Sequence, residues 1–195
     1  AGLTGPRAIF GHAVHMDDVD FACCHRTGSA LAHCPTSNLF LGSGFFKLSE
    51  AKQTGRPVRV GIGSDIGAGT SFSTLHTLNE AYKVSQMAQG RLTAAHAFYL
   101  ATRGGAEALS LQDSLASVAP GYDADLVVLD LAATPLIAFR MGFARDILEK
   151  LFVLMTLGDD RAVRATYVAG LPVYDSARDE PFIYPPQAPE LSARC

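Results

Sequence analysis

Residues 58–65 read VRVGIGSD, a short apolar run closed by glycine and followed at once by a serine and an aspartate. Such a run suits a buried strand, and a polar group directly after it stands where parallel α/β sheets bind ligands, beyond the carboxyl ends of their strands. The same arrangement occurs twice upstream. Residues 7–11 (RAIFG) lead into His12, and residues 29–34 (SALAHC) open into the polar segment HCPTSN at 33–38. Between these two runs, residues 17–27 read as a helix, with an acidic start that suits the helix dipole and Gly28 as its stop. A turn-rich segment, PTSNLFLGSG, follows the second run and leads to a helix through Ala51 that Gly55 closes. Helices are predicted over 74–89 and 93–109, the latter with Thr93 as N-cap. Strands alternating with helices predict an α/β fold with a parallel sheet.

The pattern changes near Pro120. Residues 124–130 (ADLVVLD) and 163–169 (VRATYVA) read as strands with a helix between them over about 146–156, which predicts a small, separate β-rich module. The stretch from Asp179, with Pro181, Pro185, Pro186 and Pro189, has no periodicity and is expected to be an extended or disordered tail. The expected division is residues 1–115, 116–178 and 179–195.

Composition narrows the functional classes. Of 195 residues, 48% are apolar and 18% charged, which excludes disorder through low hydrophobicity. A net charge of −3 with mixed signs gives no electrostatic footprint for nucleic acid or an anionic membrane. Cys23, Cys24, Cys34 and Cys195 fit neither a disulfide framework nor a Cys-x-x-Cys knuckle, so a reducing cytoplasmic setting is expected. The opening AGLTGPRAIFGH has no signal-peptide pattern, and no apolar run reaches the roughly 18 residues of a membrane span.

Three polar clusters thus follow strands: His12, the segment from His33 to Asn38, and Asp65. In one parallel sheet they would face one pocket, within reach of one metal or one substrate. Each also has a plain structural reading. A strand-end aspartate is commonly the N-cap of the next helix, and a lone histidine is commonly a satisfied packing residue. His15 sits in a loop with His12 rather than on a helix face and is read as no ligand; His25, His76 and His96 fall inside helical patterns. Asp159 and Asp160 are adjacent, so their carboxylates point apart, and a turn role is expected of them.

The segments GHAVHM, LAHCPTSNLFLGSG, VGIGSDIGAGTSFS, GYDADLVVLD and TLGDDRAVRATYVAGLPV resemble, in that order, the second half of the guanine deaminase family within the amidohydrolase superfamily. The resemblance runs to about Asp175 and implies strands six to eight of a (β/α)₈ TIM barrel. It also implies the C-terminal portion of a small β-sandwich, and a mononuclear metal, zinc with iron as the alternative. By the same resemblance Asp65 is a metal ligand that takes a proton from the attacking water, and His12 hydrogen-bonds and orients the hydroxide. His33, Ser37 and Asn38 match a segment at the mouth of the substrate pocket. The implied substrate is a small purine, and the intact enzyme is expected to be a homodimer.

The family's His-x-His pair, a further histidine ligand and a proton-shuttling glutamate have no counterpart in these residues, and His-x-His occurs nowhere in the chain. By the resemblance, Asp65 is the one metal ligand within the chain, and the other ligands are expected upstream of Ala1. One matched ligand cannot hold a metal as three do, so the chain alone is expected to be inactive, to bind zinc weakly and to self-associate. Two alternatives stay open: part of a relative acting on another ring amidine, such as a triazine or pyrimidine, and a non-catalytic folded module. A cytidine-deaminase type of site is disfavoured, because the His-x-Glu and Pro-Cys-x-x-Cys elements are absent.

Overall fold

The computed structural model describes residues 2–178. Ala1 and the tail expected from residue 179 lie outside the described residues. The first strand, β1 (Ile9–Gly11), leads to helix α1 (Asp18–Thr27). Asp17 caps α1 by accepting from the backbone of Val19 and Asp20, the Asp20 carboxylate accepts in return from the Asp17 backbone, and Gly28 ends the helix in the left-handed conformation. Strand β2 (Ala30–His33) follows, and β3 (Arg59–Ile62) pairs with its other side. Both pairings are parallel, with Ile9 opposite Ala30 and Ala30 opposite Arg59. The parallel sheet read from the sequence is therefore present, and it brings the ends of all three strands to one edge.

The segment after β2 departs from the expected loop. Pro35–Phe40 is a short helix, α2, with Pro35 in its first turn and the Asn38 amide donating to the Cys34 carbonyl. Proline suits that position because its missing N–H would have no helical partner there. The helix expected through Ala51 is reduced to Leu48–Ala51, α3.

Helix α4 (Thr74–Met87) is capped by Ser73. Beyond it the expected single helix is broken in two, α5 (Ala94–Ala101) and α6 (Arg103–Ala108), with Thr102 between them out of helical geometry. Thr93 does cap α5, accepting from the His96 amide. The break lets α6 lie directly on β3. A Cβ at Gly61 would stand 3.0 Å from the Gly105 Cα, and one at Gly104 would stand 2.9 Å from the Val60 carbonyl oxygen. Side chains there would force helix and strand apart.

Phe21, Leu31, Phe46, Leu78, Ala81, Ala97 and Leu100 are fully buried and make up the centre of the core. Each large apolar side chain so buried contributes on the order of 2 kcal/mol.

The second sheet is antiparallel, with β4 (Leu126–Leu129) and β6 (Leu171–Asp175) on either side of β5 (Val163–Val168). Strand β6 and helix α7 (Pro135–Met141) are not predicted from the sequence. Helix α8 (Ile147–Leu157), capped by Asp146, packs on α4 and α5 rather than staying with the second sheet. Its Met155 joins the core beneath the first sheet, and the Asn79 side chain donates to its Thr156 carbonyl at 2.6 Å.

Candidate functional site

The end of the parallel sheet collects the three polar clusters. The His12 amide continues the ladder by donating to the Ala32 carbonyl at 3.0 Å, and the Gly63 amide donates to the His33 carbonyl at 2.9 Å. These bonds fix where the chain leaves β1 and β3. Immediately beyond, His12 (φ 66°), Ala13 (φ 50°) and Asp65 (φ 49°) adopt the left-handed conformation that L-residues avoid. Such residues cost on the order of 1–3 kcal/mol each and persist only where surrounding structure enforces them. Here the enforcing contacts are close at hand. The Gly69 amide donates to the Asp65 carbonyl at 2.6 Å, and the Thr36 hydroxyl donates to the Ser64 carbonyl at 3.2 Å. A Cβ on Gly69 would lie 1.7 Å from the Ser64 oxygen, so only glycine permits this turn.

The result is that His12 Nε2 and Asp65 Oδ2 face each other at 3.7 Å, although 53 positions separate Asp65 from His12 in the chain. That separation is too long for a direct hydrogen bond and short enough for one oxygen between them to contact both. Both side chains are about two-fifths exposed, at 43% and 40%, so a substrate can reach them. On its other nitrogen, His12 Nδ1 lies 2.8 Å from Asn38 Oδ1.

The remaining predicted residues occupy different ground. His33, Ser37 and Asn38 are all buried, at 1%, 0% and 1% exposed, and so do not line an open pocket mouth among the described residues. His33 stacks on Phe46, with ring centroids 4.6 Å apart and planes 19° from parallel. Burial drives its pKa down from 6.5 to about 3, so the ring is neutral at physiological pH. Its Nδ1, the Ser37 hydroxyl and the Asn38 Nδ2 have no hydrogen-bond partner among the described residues. Cys34, beside them, is buried, and burial pushes its thiol pKa up, with a backbone hydrogen bond with His12 opposing the rise and Asp65 adding to it. Both the burial and the raised pKa favour the neutral thiol.

Elsewhere, His25 meets the Pro57 carbonyl at 2.8 Å, and His96 lies tilted against Tyr99. Asp159 pairs with Arg161, whose hydrogen bond holds its carboxyl below the usual range. These are the structural roles expected of them. A cleft of about 680 Å³ between α4 and α8, lined by Tyr82, Arg91, Phe143 and Phe152 among others, includes none of His12, Asn38 and Asp65.

The donor set fits part of a metal shell. The Asp65 carboxylate would be one ligand of a borderline ion such as zinc, with His12 Nε2 3.7 Å away and placed to bond to a water held there. Among the described residues, however, no three His, Cys, Asp or Glu side chains come together to complete one. The further ligands expected upstream of Ala1 lie outside the described residues, which begin at Gly2. No described helix is long and apolar enough to cross a membrane.

The chain is similar to known proteins over most of its length. The guanine deaminase of Escherichia coli (strain K12) is 51% identical over 174 residues, which are 89% of this chain and 39% of that protein. A probable guanine deaminase of Deinococcus radiodurans is 36% identical over 173 residues, 87% of this chain and 39% of its own length. The chain thus spans about two-fifths of the length of these relatives. The solved structure of E. coli guanine deaminase superposes with a TM-score of 0.86 over 89% of this chain and 40% of that one. The sequence model of the amidohydrolase family matches residues 1–173. The chain belongs to the amidohydrolase family, whose TIM-barrel superfamily fold accounts for its mixed helices and strands.

Proposed function

We propose that this chain is the C-terminal part of a guanine deaminase, which adds water to guanine and releases ammonia, leaving xanthine. In that reading β1, β2 and β3 are the sixth to eighth strands of a (β/α)₈ barrel. Residues up to about 115 belong to the barrel, and residues 116–178 to a small β-sandwich. The observation that carries the reading is the convergence of His12 Nε2 and Asp65 Oδ2, 3.7 Å apart, on left-handed backbone at the ends of two parallel strands.

The chemistry follows from these two side chains. Hydrolysis forms a C–O bond from water to the ring carbon bearing the exocyclic nitrogen and breaks that C–N bond, while one water proton passes to the adjacent ring nitrogen and the other to the departing amino group, which leaves as ammonia. Asp65 accepts a proton at its carboxylate, and His12 accepts a hydrogen bond at Nε2 that orients the attacking oxygen. A zinc ion, held by Asp65 and by ligands from elsewhere in a full-length polypeptide, would supply Lewis acidity, which brings the pKa of water towards 7. The expected partner is the small purine, and a cytoplasmic homodimer is the expected setting.

The test is ammonia release from guanine by a polypeptide spanning the full length of the relatives. Asp65→Asn should lower turnover by roughly 10²- to 10⁴-fold, the range for loss of a general acid–base group. His12→Ala should slow the reaction while zinc stays bound. A wild-type enzyme silent on guanine, or an Asp65→Asn variant of near-normal rate, would overturn the proposal.

A further inference from the structure

The buried Asn38 is not accounted for by the proposed chemistry. Its side chain is 1% exposed, so it cannot meet a substrate that His12 and Asp65 can reach. Its backbone is held at both ends, the amide donating to the Cys34 carbonyl at 3.0 Å and the carbonyl accepting from the Ser43 amide at 2.9 Å. The side chain therefore has little freedom, and its Oδ1 rests 2.8 Å from His12 Nδ1. Carbonyl oxygen is an acceptor only, so the nitrogen facing it must carry the proton. Asp65, at 3.7 Å from Nε2, is too distant to impose the opposite choice through a direct hydrogen bond.

We infer that Asn38 is a positioning residue that holds His12 in the tautomer protonated at Nδ1, leaving the Nε2 lone pair free across from Asp65. Neutral imidazole has one donor and one acceptor nitrogen, and the partner of the first sets the availability of the second. The bond fixes the ring's orientation as well as its proton. His12 itself sits on unfavourable left-handed backbone, and the Asn38 contact is the side-chain bond that ties it to the buried first four residues of α2. The opposite amide orientation, with Nδ2 donating to a bare Nδ1, would place the proton on Nε2. One measurement distinguishes the two.

The inference rests on the proposed function only for its catalytic consequence, and the test has two arms accordingly. The first uses this 195-residue chain. Nitrogen NMR of ¹⁵N-histidine-labelled protein at mildly alkaline pH reports which ring nitrogen carries the proton. The His12 signals are assigned by their loss in His12→Gln. His12 should be protonated at Nδ1 in the wild type, remain so in Asn38→Asp, whose carboxylate accepts the same bond, and become a mixture of tautomers in Asn38→Ala. A wild-type His12 protonated at Nε2 overturns the inference without recourse to any variant, as does an unchanged tautomer in a folded Asn38→Ala. The second arm measures deamination by the full-length enzyme. Asn38→Ala should lower kcat by about 10- to 100-fold with little change in KM, as for loss of a residue that orients a site group, and Asn38→Asp should restore much of it. A raised KM with unchanged kcat would make Asn38 a substrate contact and reject the inference. Absence of any wild-type activity would reject the proposed function and leave the NMR arm to decide Asn38.

Discussion

Replacing His33 with phenylalanine and following unfolding at two pH values isolates the consequence of burying that ring beside the candidate site. The wild-type ring is 1% exposed, and burial lowers its pKa to about 3 from an ordinary 6.5. Between those values the unfolded chain binds a proton at His33 that the folded chain refuses. The site's full stability is therefore present above 6.5 and is lost progressively as pH falls towards 3. Each pH unit in that window removes about 1.4 kcal/mol, so moving from about pH 7 to about pH 5 removes roughly 2 kcal/mol through this one residue. Phenylalanine can still stack on Phe46 and does not titrate. It carries extra volume and will cost something at both pH values, but that offset cancels when each protein is compared with itself. Urea unfolding monitored by circular dichroism gives the free energies. The wild type should lose roughly 2 kcal/mol more than His33→Phe between the two conditions. Equal losses would show that His33 takes up its proton in the folded state and that its burial is not as described.

Other expectations follow from single contacts. Phe46→Ala should cost about 3–5 kcal/mol in urea unfolding, and by letting water reach His33 it should also flatten the acid dependence just described. Gly69→Ala, whose new Cβ would fall 1.7 Å from the Ser64 oxygen, should leave helix content intact in circular dichroism. By displacing Asp65 it should reduce full-length turnover by about 10²-fold, the scale of a 1 Å misplacement. Asp17→Ala removes the cap of α1 and should lower stability by about 1 kcal/mol, without affecting the His12 signals in NMR. The isolated chain, with both outer strands of its parallel sheet unpaired among the described residues, should self-associate in light scattering, and a strictly monodisperse monomer would count against the unpaired edges.

What was legible in the sequence was what local physics writes there. Thr93 caps its helix as its sequence position predicts, the acidic start at Asp17 marks the first helix, and the apolar runs at β1, β2 and β3 end in the polar residues that the parallel sheet then gathers. Helix α7 left a local signal too, a Thr134 cap before Pro135, but only Ile137 of its residues is buried, so it lacks the apolar stripe that marks a helix. Strand β6 is exposed along nearly its whole length and contains Pro172, and it is held by pairing with β5 rather than by any pattern of its own. The break at Thr102 was set by the approach of Gly104 and Gly105 to β3, a contact between segments more than forty positions apart. The site divides in the same way. His12 and Asp65 could be read as strand-end residues, because their position along the chain fixes the end of the sheet they occupy. The burial of His33 and Ser37, and the hydrogen bond between Asn38 and a ring 26 positions away, depend on α2 packing on α4 and against the segments that leave β1 and β3. No local preference distinguishes a polar residue that faces a substrate from one that holds another residue in place, because burial is decided only when distant segments pack.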